Sequence, residues 1–346
     1  MRSFSFGEIM DLFYPDYYNK FHCIASDCPD SCCKEWDVQV DPASAARYRA
    51  LPGALGDRLR SVLEDVDGET VMRQTHDRRC PMWRQDGLCE IQANLGEAAL
   101  CSVCSQFPRL RHDYGDFVEL GLELSCPEAA RLILHSPTVT TVRTTVSGGE
   151  PPEYDTEAMA ILKSSREAVY TILNDQALSP NEALAVLLLY AYRVQAQLDG
   201  EESFPFHAKA ALDEARSLAQ SGSTTDIFAL YRTLEILTPA WRNLLESIPV
   251  EQPWGQKHRC LARYFIDRYW LQAVSDYDLV GRVKFILASC LMIQSLAGDV
   301  EYIAQLYSKE IENDADNVYA LLDAAYTSPA LTDVKLLYLL TQQNNP

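Results

Sequence analysis

The second half of the chain shows the apolar pattern of packed helices. From about residue 156 onward, apolar blocks alternate with short polar or proline-containing breaks. The block lengths vary and no motif returns at a fixed period, so the pattern favours an irregular helical bundle over a regular solenoid. The predicted helices are 156–174, 179–198, 206–220, 225–248, 257–275, 277–297, 299–312, 315–326 and 331–342.

Three sites carry the sequence signals of helix starts. Ser179-Pro180-Asn181-Glu182 combines an N-cap, a proline at the first helical position and a capping-box glutamate. Ser125-Cys126-Pro127-Glu128 shows the same arrangement before a further apolar run. Asp41-Pro42 predicts a helix that ends near residue 50.

The first half has a different character, with glycines at short intervals and cysteines in predicted loops. A second helix is predicted at about 55–65, and the alternation in DFVELGLEL, residues 116–124, predicts a strand. Residues 136–155, SPTVTTVRTTVSGGEPPEYD, are typical of a linker or surface excursion, with one short strand at 138–146.

These patterns predict a mainly α protein with two domains. The first is an irregular cysteine-rich metal-binding domain over residues 1–135, followed by a linker at 136–155. The second is an irregular helical bundle over residues 156–346. With 346 residues, 47% of them apolar, the chain is long enough for both to have cores without disulfide support.

The net charge of the chain limits the classes of partner that it is expected to bind. A net charge of -19 repels phosphate backbones and anionic lipid headgroups, so we expect no nucleic-acid partner. The one local basic stretch, PRLRH at 108–112, is short and acidic residues follow it. It fits a solvated loop or a contact with an anionic ligand.

Nothing in the pattern predicts insertion into a membrane. The longest apolar run, ALAVLLLYAY at 183–192, covers ten residues, whereas a spanning helix needs about 20. The amino terminus has no continuous apolar core and no small-residue cleavage site, so it does not resemble a signal peptide. We therefore expect a protein of the reducing cytoplasm.

The cysteines are concentrated in the first part of the chain. Cys260 and Cys290 stand among apolar neighbours, and we expect both to be ordinary core residues. The densest stretch is FHCIASDCPDSCCKEW, residues 21–36. Nine of the eleven cysteines lie within the first 126 residues: Cys23, Cys28, Cys32, Cys33, Cys80, Cys89, Cys101, Cys104 and Cys126.

This spacing predicts that several thiolates converge on one or two metal centres. Thiolates are soft ligands that select zinc, Cu(I) or iron–sulfur clusters, and no histidine sits inside a CxxC pair. His22 could ligate, but a structural role is the simpler interpretation. Disulfides would need an oxidising compartment, buried free thiols would not explain the clustering, and a thioredoxin-type CxxC would need a βαβ context.

The tight CxxxCC loop and the closing CxxC preorganise sulfur best. Cys126 stands apart, because a helix amino end favours its thiolate. The candidate ligands in order of preference are Cys28, Cys32, Cys33 and Cys104, then Cys89, Cys101 and Cys80, and last Cys23 and Cys126.

Four motifs in order carry a resemblance to a known family. FHCIASDCPDSCCKEWDV, RCPMWRQDGLCEI, LCSVCSQFPR and LSCPEAARLIL resemble the flagellin lysine N-methylases, whose amino half is similar to a wider class of zinc- or iron-chelating cysteine-cluster proteins. The resemblance covers residues 10–135. It implies S-adenosylmethionine-dependent methylation of flagellin lysines in the bacterial cytoplasm. It also implies an iron–sulfur cluster of the [4Fe–4S] type, with zinc as the alternative.

The residues leave the details of such chemistry open. No glycine-rich turn of the Rossmann type is present, and the CxxxCxxC motif of radical enzymes is not matched, because Glu35 stands where the third cysteine would be. Arg109 is a candidate to bind the cofactor through a carboxylate or a cluster-bound anion, or to form a structural salt bridge. Asp37, Glu35 and Tyr114 fit surface positions, so no catalytic base is named.

A second class of function fits the same residues. The chain could be a non-enzymatic zinc- or iron-binding or redox-sensing protein whose helical half binds a partner. The acidic helical half could steer a lysine-bearing face of flagellin, or its acidity could serve solubility alone. The oligomeric state is left open.

Serine substitutions test the order of ligands. Replacing Cys28, Cys32, Cys33 or Cys104 with serine removes a soft sulfur donor, so we expect lower iron or zinc content per chain. The measurement is metal analysis of anaerobically purified protein, with Cys260→Ser as the control. Unchanged metal content in all four variants would refute this order.

Overall fold

The computed structural model describes residues 8–202 and 205–342, and helices dominate these two ranges. Two small sheets lie in the first 149 residues, and none of the assigned strands lies beyond them. The first helices of the chain are short, whereas those after residue 155 run up to 19 residues. The predicted mainly α class is therefore confirmed for the described residues.

A four-stranded sheet has the order β5-β6-β1-β7. Strand β1 pairs parallel with β6 and antiparallel with β7, and β5 pairs antiparallel with β6. Strands were predicted at the positions of β6 and β7, whereas β1 and β5 were missed. The strands are β1 (Glu8–Pro15), β5 (Arg109–Asp113), β6 (Phe117–Leu122) and β7 (Thr141–Gly149).

A three-stranded antiparallel sheet forms the centre of the cysteine-rich region, with the order β2-β4-β3. Its strands are too short to give an alternating signal in the sequence, and β3 occupies the end of the helix that was predicted to reach residue 65. The strands are β2 (Val38–Val40), β3 (Leu63–Val66) and β4 (Glu69–Met72), beside the helices α1 (Pro42–Ala50) and α2 (Gly53–Val62).

The helical blocks correspond closely to the predicted ones. The block at 225–248 forms two helices, separated by residues 232–238. The remaining helices are α3 (Glu90–Leu95), α4 (Ser102–Gln106), α5 (Pro127–Leu134), α6 (Thr156–Asn174), α7 (Pro180–Leu198), α8 (Ala208–Leu218), α9 (Thr224–Tyr231), α10 (Pro239–Glu246), α11 (Gln256–Tyr269), α12 (Leu279–Ser295), α13 (Val300–Tyr307), a π-helix (Ser308–Glu312), α14 (Ala315–Thr327) and α15 (Asp333–Thr341).

Two of the three predicted helix starts are confirmed. The Asp41 carboxylate accepts from the backbone N–H of Ser44 at 2.9 Å, and the Glu182 carboxylate accepts from the Ser179 N–H at 2.8 Å. The third predicted helix start, at Ser125, lies one residue too early. Helix α5 is capped at Cys126, and the Ser125 hydroxyl instead donates to Glu123.

Helix α12 is the centre of the bundle. All of its residues are buried, and it packs against α7, α9, α11, α13 and α14. The helix is largely apolar, as expected for one enclosed by others, and its buried cations Arg282 and Lys284 pair with Asp276 and Asp333. Cys290 on α12 and Cys260 on α11 are buried among apolar side chains, as predicted.

The apolar side chains form two cores. The larger core joins the helical half to residues from the first half, among them Tyr17, Phe117 and Ile133. The smaller core holds Val38, Leu59 and other residues between positions 38 and 101. This division differs from the proposed boundary at residue 135, which as a domain boundary stays a prediction.

The predicted linker at 136–155 contains strand β7. Its residues pair along the whole of β1, from Glu8↔Gly149 to Pro15↔Thr141. This segment is therefore fixed to the sheet over most of its length. The predicted short strand at 138–146 begins and ends three residues later in the structure.

A buried ion pair joins the sheet to the bundle. Arg166 of α6 donates to Glu119 of β6 through two nitrogens, at 2.9 and 2.5 Å. The two side chains are only 12% and 15% exposed, so water cannot fully solvate either charge if the other is removed. Loss of one partner would leave the other charge uncompensated.

No helix within residues 8–202 and 205–342 is both long and apolar enough to span a bilayer.

Breaking the Arg166–Glu119 pair should destabilise the fold. We expect Arg166→Met to lower the free energy of unfolding by about 3 kcal/mol, because the largely buried carboxylate of Glu119 is left without its ion-pair partner. Urea denaturation measures this. The double variant Glu119→Gln/Arg166→Met should recover part of the loss.

The matched control is Arg111→Met, which removes an exposed pair with Asp113. It should change the free energy of unfolding by about 1 kcal/mol or less. Equal effects of Arg166→Met and Arg111→Met would contradict the proposed role of the buried pair.

Candidate functional site

The cysteine-rich loops are held together by backbone contacts. The Cys80 N–H donates to the Cys33 carbonyl at 2.7 Å, and Lys34 and Arg79 form an isolated antiparallel bridge. Cys89 forms a second bridge, with Trp83. Loops far apart in sequence are thereby aligned so that their thiols face one small volume.

Six of the nine early cysteines meet in a group that we call the inner thiol cluster. Hydrogen bonds link the thiols of Cys32 and Cys33, of Cys33 and Cys80, and of Cys101 and Cys104. Cys89 interacts electrostatically with Cys32 and Cys101. The members are Cys32, Cys33, Cys80, Cys89, Cys101 and Cys104.

Secondary structure positions the later members of this cluster. Cys89 caps α3 and Cys101 caps α4, whereas Cys104 lies within α4 rather than in a loop as predicted. The hydrogen bond from the Cys104 thiol, with further backbone donors, lowers the pKa of Cys101 to about 7. The same bond and burial raise the pKa of Cys104 far above its ordinary value. The pair thus favours one thiolate at Cys101.

Neighbouring sulfur also shifts the pKa values of Cys32 and Cys33. The hydrogen bond to Cys33, followed by burial, raises the pKa of Cys32. The same hydrogen bond lowers the pKa of Cys33. The hydrogen bond to Cys80 and burial outweigh this effect and raise the pKa of Cys33 to about 12. Without a metal, most of these thiols hold their protons.

The other three early cysteines form an outer group beside Cys32. Cys28 interacts electrostatically with Cys23 and Cys32, and Cys126 with Cys28 and Cys32. Cys126 occupies the N-cap position of α5, one residue after the predicted Ser125, and the backbone N–H groups of Ala129 and Glu128 lower its pKa. Burial outweighs them and raises the pKa of Cys126 to about 12, contrary to the thiolate that we expected.

A cavity of about 530 Å³ adjoins the inner thiol cluster, and we call it the thiol cavity. Cys32 and Cys104 line one side of it, with the rings of Trp36 and Phe107. Residues of the helical half also line the cavity. The polar lining residues from both halves are Glu35, Glu123, Glu235, Lys309, Glu310, Asn313 and Asp314.

Two carboxylates of the thiol cavity are buried. Glu310 is 1% exposed, and its oxygens accept the backbone N–H groups of Leu237 and Thr238 at 2.7 and 2.8 Å. Burial raises the pKa of Glu310 despite these donors. Burial likewise raises the pKa of Glu123, whose carboxylate accepts from the Ser125 hydroxyl. Both groups can therefore hold a proton more readily than an exposed glutamate.

Glu35 lies in the cavity wall in an unusual backbone conformation. Its φ is 77°, and its ion-pair partner Arg78 has a φ of 59°, both in the left-handed region. The Arg78 Nε lies 2.7 Å from the Glu35 carboxylate, and the Glu35 N–H donates to the Arg78 carbonyl at 2.9 Å. Non-glycine residues adopt this conformation only where surrounding contacts enforce it.

Arg109, the predicted cofactor ligand, is not part of the thiol cavity wall. It lies on β5 with its guanidinium over the ring of Phe21, 5.2 Å from the ring centroid. Among the other residues considered earlier, Asp37 pairs with Arg73, and Tyr114 stacks on Phe117. Of these residues, the structure brings only Glu35 to the thiols.

Apart from Glu123, which precedes α5, the polar cavity residues that sequence reasoning missed come from the helical half. Glu235 and Asp314 are separated by about 80 positions, and both lie more than 100 positions from the thiol loops. The acidic run YSKEIENDAD at 307–316 was the one visible signal, but an acidic run usually indicates a solvated surface.

The chain is similar to three curated proteins. The flagellar biosynthetic protein FliU of Salmonella muenchen is 31% identical over 134 residues, covering 36% of this chain and 76% of that protein. The chain belongs to the flagellin lysine N-methylase family. Lysine-N-methylases of Salmonella typhimurium and Salmonella choleraesuis are each 32% identical over 132 residues, again covering 36% of this chain.

The similarity spans about a third of the length of the two lysine-N-methylases, since it covers 32% of each. No family model matches the chain. No solved structure matches it either. Family membership thus rests on these curated relatives.

The thiols of this family member suit a thiolate-bound group in their chemistry. All six members of the inner thiol cluster are soft sulfur donors, the kind that zinc and iron–sulfur sites use. Within residues 8–202 and 205–342, however, no group of three or more His, Cys, Asp and Glu side chains is arranged so that it could hold a metal ion. The donors therefore fit the group by type, and the ligand set stays a prediction.

Thiol labelling tests this arrangement of cysteines. In the reduced, metal-free chain, we expect Cys23, which is exposed, to be alkylated rapidly under native conditions. Cys290 is buried, and its pKa is raised by burial, so it should react only after unfolding. Mass spectrometry of the digested protein measures both, with denatured protein as the control. Equal rates in the native state would contradict the fold at α12.

Proposed function

We propose that this chain is an S-adenosylmethionine-dependent methyltransferase that acts on lysine ε-amino groups of flagellin. The relatives named lysine-N-methylase and flagellar biosynthetic protein support the reaction and the flagellar substrate. We further propose a cytoplasmic location and a cysteine-ligated iron–sulfur cluster. The observation that carries the proposal is an acid-lined cavity that opens onto two thiols of the inner cluster.

The lining of the thiol cavity suits a positively charged substrate group. Five carboxylates and one lysine face it, and Trp36 and Phe107 add apolar walls. A lysine side chain presents an apolar stem and a cationic tip, which match these two kinds of surface. The negative potential of the cavity would also draw the cation in from solution.

A lysine must lose a proton before its nitrogen can accept a methyl group, because an ammonium has no lone pair. Glu123 is the first candidate base. Its pKa is raised by burial, and its carboxylate accepts hydrogen bonds from two neutral groups, the Ser125 hydroxyl and the Asn313 side chain. Glu310 is the second candidate, although two backbone N–H groups already occupy its oxygens.

The inner thiol cluster would hold the iron–sulfur group, with zinc as the alternative. When bound, S-adenosylmethionine would supply the electrophilic methyl group, and the cluster would supply a site for its amino and carboxylate groups. The residues of the chain bind the lysine, exclude water from it and accept its proton.

A structural metal is the second candidate function, and one observation favours it. The inner thiol cluster is itself part of the smaller core, where Cys80 and Cys101 are buried with Val38 and Leu59. Sulfur in that position could hold a zinc ion that only stabilises the fold. Colourless, zinc-containing protein without transfer activity would favour this function, or a redox-sensing one.

The test is transfer of labelled methyl groups to full-length flagellin. We expect activity in the unmodified protein and about a hundredfold lower kcat for Glu123→Gln, because the amide keeps the size of the side chain but cannot accept the proton. Mass spectrometry locates the modified residues.

The matched control is Glu246→Gln at the exposed end of α10, which should leave kcat unchanged. Near-ultraviolet circular dichroism confirms that each variant is folded. A folded Glu123→Gln variant with full activity would remove Glu123 as the base, and an unmodified protein without transfer activity would contradict the function itself.

A further inference from the structure

One buried lysine connects the helical half to the cysteine-rich loops. Lys309 is 3% exposed, and its ammonium lies 3.1 Å from a carboxylate oxygen of Asp30, between Cys28 and Cys32. The same nitrogen stands over the ring of Trp36, 5.1 Å from its centroid. An ammonium at this depth needs compensating partners. Asp30 and Trp36 both come from the cysteine-rich stretch of residues 21–36, which we call the thiol loop.

The backbone around Lys309 holds this position firmly. It belongs to the π-helix Ser308–Glu312, a conformation that proteins use most often at functional sites. Its neighbours are anchored on the other side: Glu310 accepts from the Leu237 N–H, and Glu312 accepts from the hydroxyls of Tyr264 and Tyr269 at 2.9 and 3.0 Å. The π-helix thus places the Lys309 ammonium against Asp30 and Trp36.

Lys309 also reaches the site itself. It lines the thiol cavity together with Cys32 and Cys104, and its charge acts on the Cys32 thiol. Gln305, one turn earlier, donates to the same Asp30 oxygen at 3.1 Å and to the Ser125 carbonyl at 2.8 Å. The Lys309 ammonium therefore lies where the thiol loop, the thiol cavity and the helical bundle meet.

We propose that Lys309 is a positioning residue of the helical half that stabilises the negative charge of a thiolate-bound metal group in the inner thiol cluster. A divalent ion held by four thiolates carries two net negative charges, whereas the four free thiols are neutral. A buried positive charge nearby favours the bound state, and a buried negative charge opposes it. Lys309 and Asp30 thus act on binding in opposite directions.

A purely mechanical role would behave differently. If the Lys309–Asp30 pair only fastened the loop to the bundle, removing either partner would weaken metal binding to a similar extent. The electrostatic role predicts opposite signs for the two removals. The inference rests on the thiolate-metal part of the proposed function and not on methyl transfer.

The experiment is a titration of the full-length, reduced, metal-free chain with Co²⁺ alone, followed by thiolate-to-cobalt charge-transfer absorption. For Lys309→Met we expect a dissociation constant about tenfold larger, because the buried positive charge beside the anionic site is lost and Asp30 keeps only Lys34 as an ion-pair partner. For Asp30→Asn we expect a smaller dissociation constant than in the unmodified chain. Lys309→Arg, which keeps the charge, should stay within about threefold of the unmodified chain.

Two further variants separate charge from folding. Lys284→Met removes another buried lysine of the bundle, paired with Asp333 at 2.8 Å and remote from the thiol cavity, and should not change cobalt affinity. The double variant Asp30→Asn/Lys309→Met leaves no buried unpaired charge, so it remains informative if Lys309→Met alone fails to fold. Its affinity should lie close to that of the unmodified chain.

The proposal is overturned if Lys309→Met and Asp30→Asn both weaken binding, if the double variant is as weak as Lys309→Met, or if Lys309→Met binds normally. It is also overturned if Lys284→Met matches Lys309→Met, or if the unmodified chain forms no thiolate–cobalt complex. Missing methyl transfer alongside the expected cobalt affinities would contradict the proposed reaction and leave the role of Lys309 standing.

Discussion

The packing of sulfur in place of aliphatic carbon is the constraint on which the cysteine-rich region depends. Its core combines large apolar side chains such as Tyr48 and Leu59 with the buried thiols of Cys80 and Cys101, and Cys33, Cys89 and Cys104 lie at its edge. Thiols pack as small hydrophobic groups, so this core can form without metal. The same residues keep soft donors within one volume, which ties the fold of this region to its chemistry.

The helical half completes the site that the thiols begin. Three of the polar residues lining the thiol cavity, Lys309, Glu310 and Asp314, come from the π-helix and the start of α14. The buried Arg166–Glu119 pair and the Asp30–Lys309 pair hold the two halves in register at separate places. Buried pairs of this kind are expensive to break, so they specify one arrangement rather than many.

Charge is distributed to match that arrangement. The chain carries a net charge of -19, and within the thiol cavity five carboxylates face a single lysine. Such a surface opposes nucleic acid and attracts cations, in keeping with a lysine-bearing substrate. Lys309 is the exception, and its placement against Asp30 and Trp36 puts the positive charge beside the sulfur instead of at the surface.

The sequence by itself determined the local features of this protein. Helical periodicity located α6 to its first and last residue, side-chain capping identified Asp41 and Ser179 as helix starts, and four cysteine motifs identified the family. Each of these signals depends on residues within one turn or one short motif. They need no knowledge of how distant segments meet.

Only the tertiary structure decided the sheets and the site. Strand β1 depends on β6 and β7, which lie more than 100 residues away, so its own sequence carries a weak signal. Lys309 and Glu310 have the sequence appearance of a solvated acidic run, and packing of the π-helix against the thiol loop buries them instead. Helix propensity is local, whereas burial of a charge is set by partners that folding brings from elsewhere in the chain.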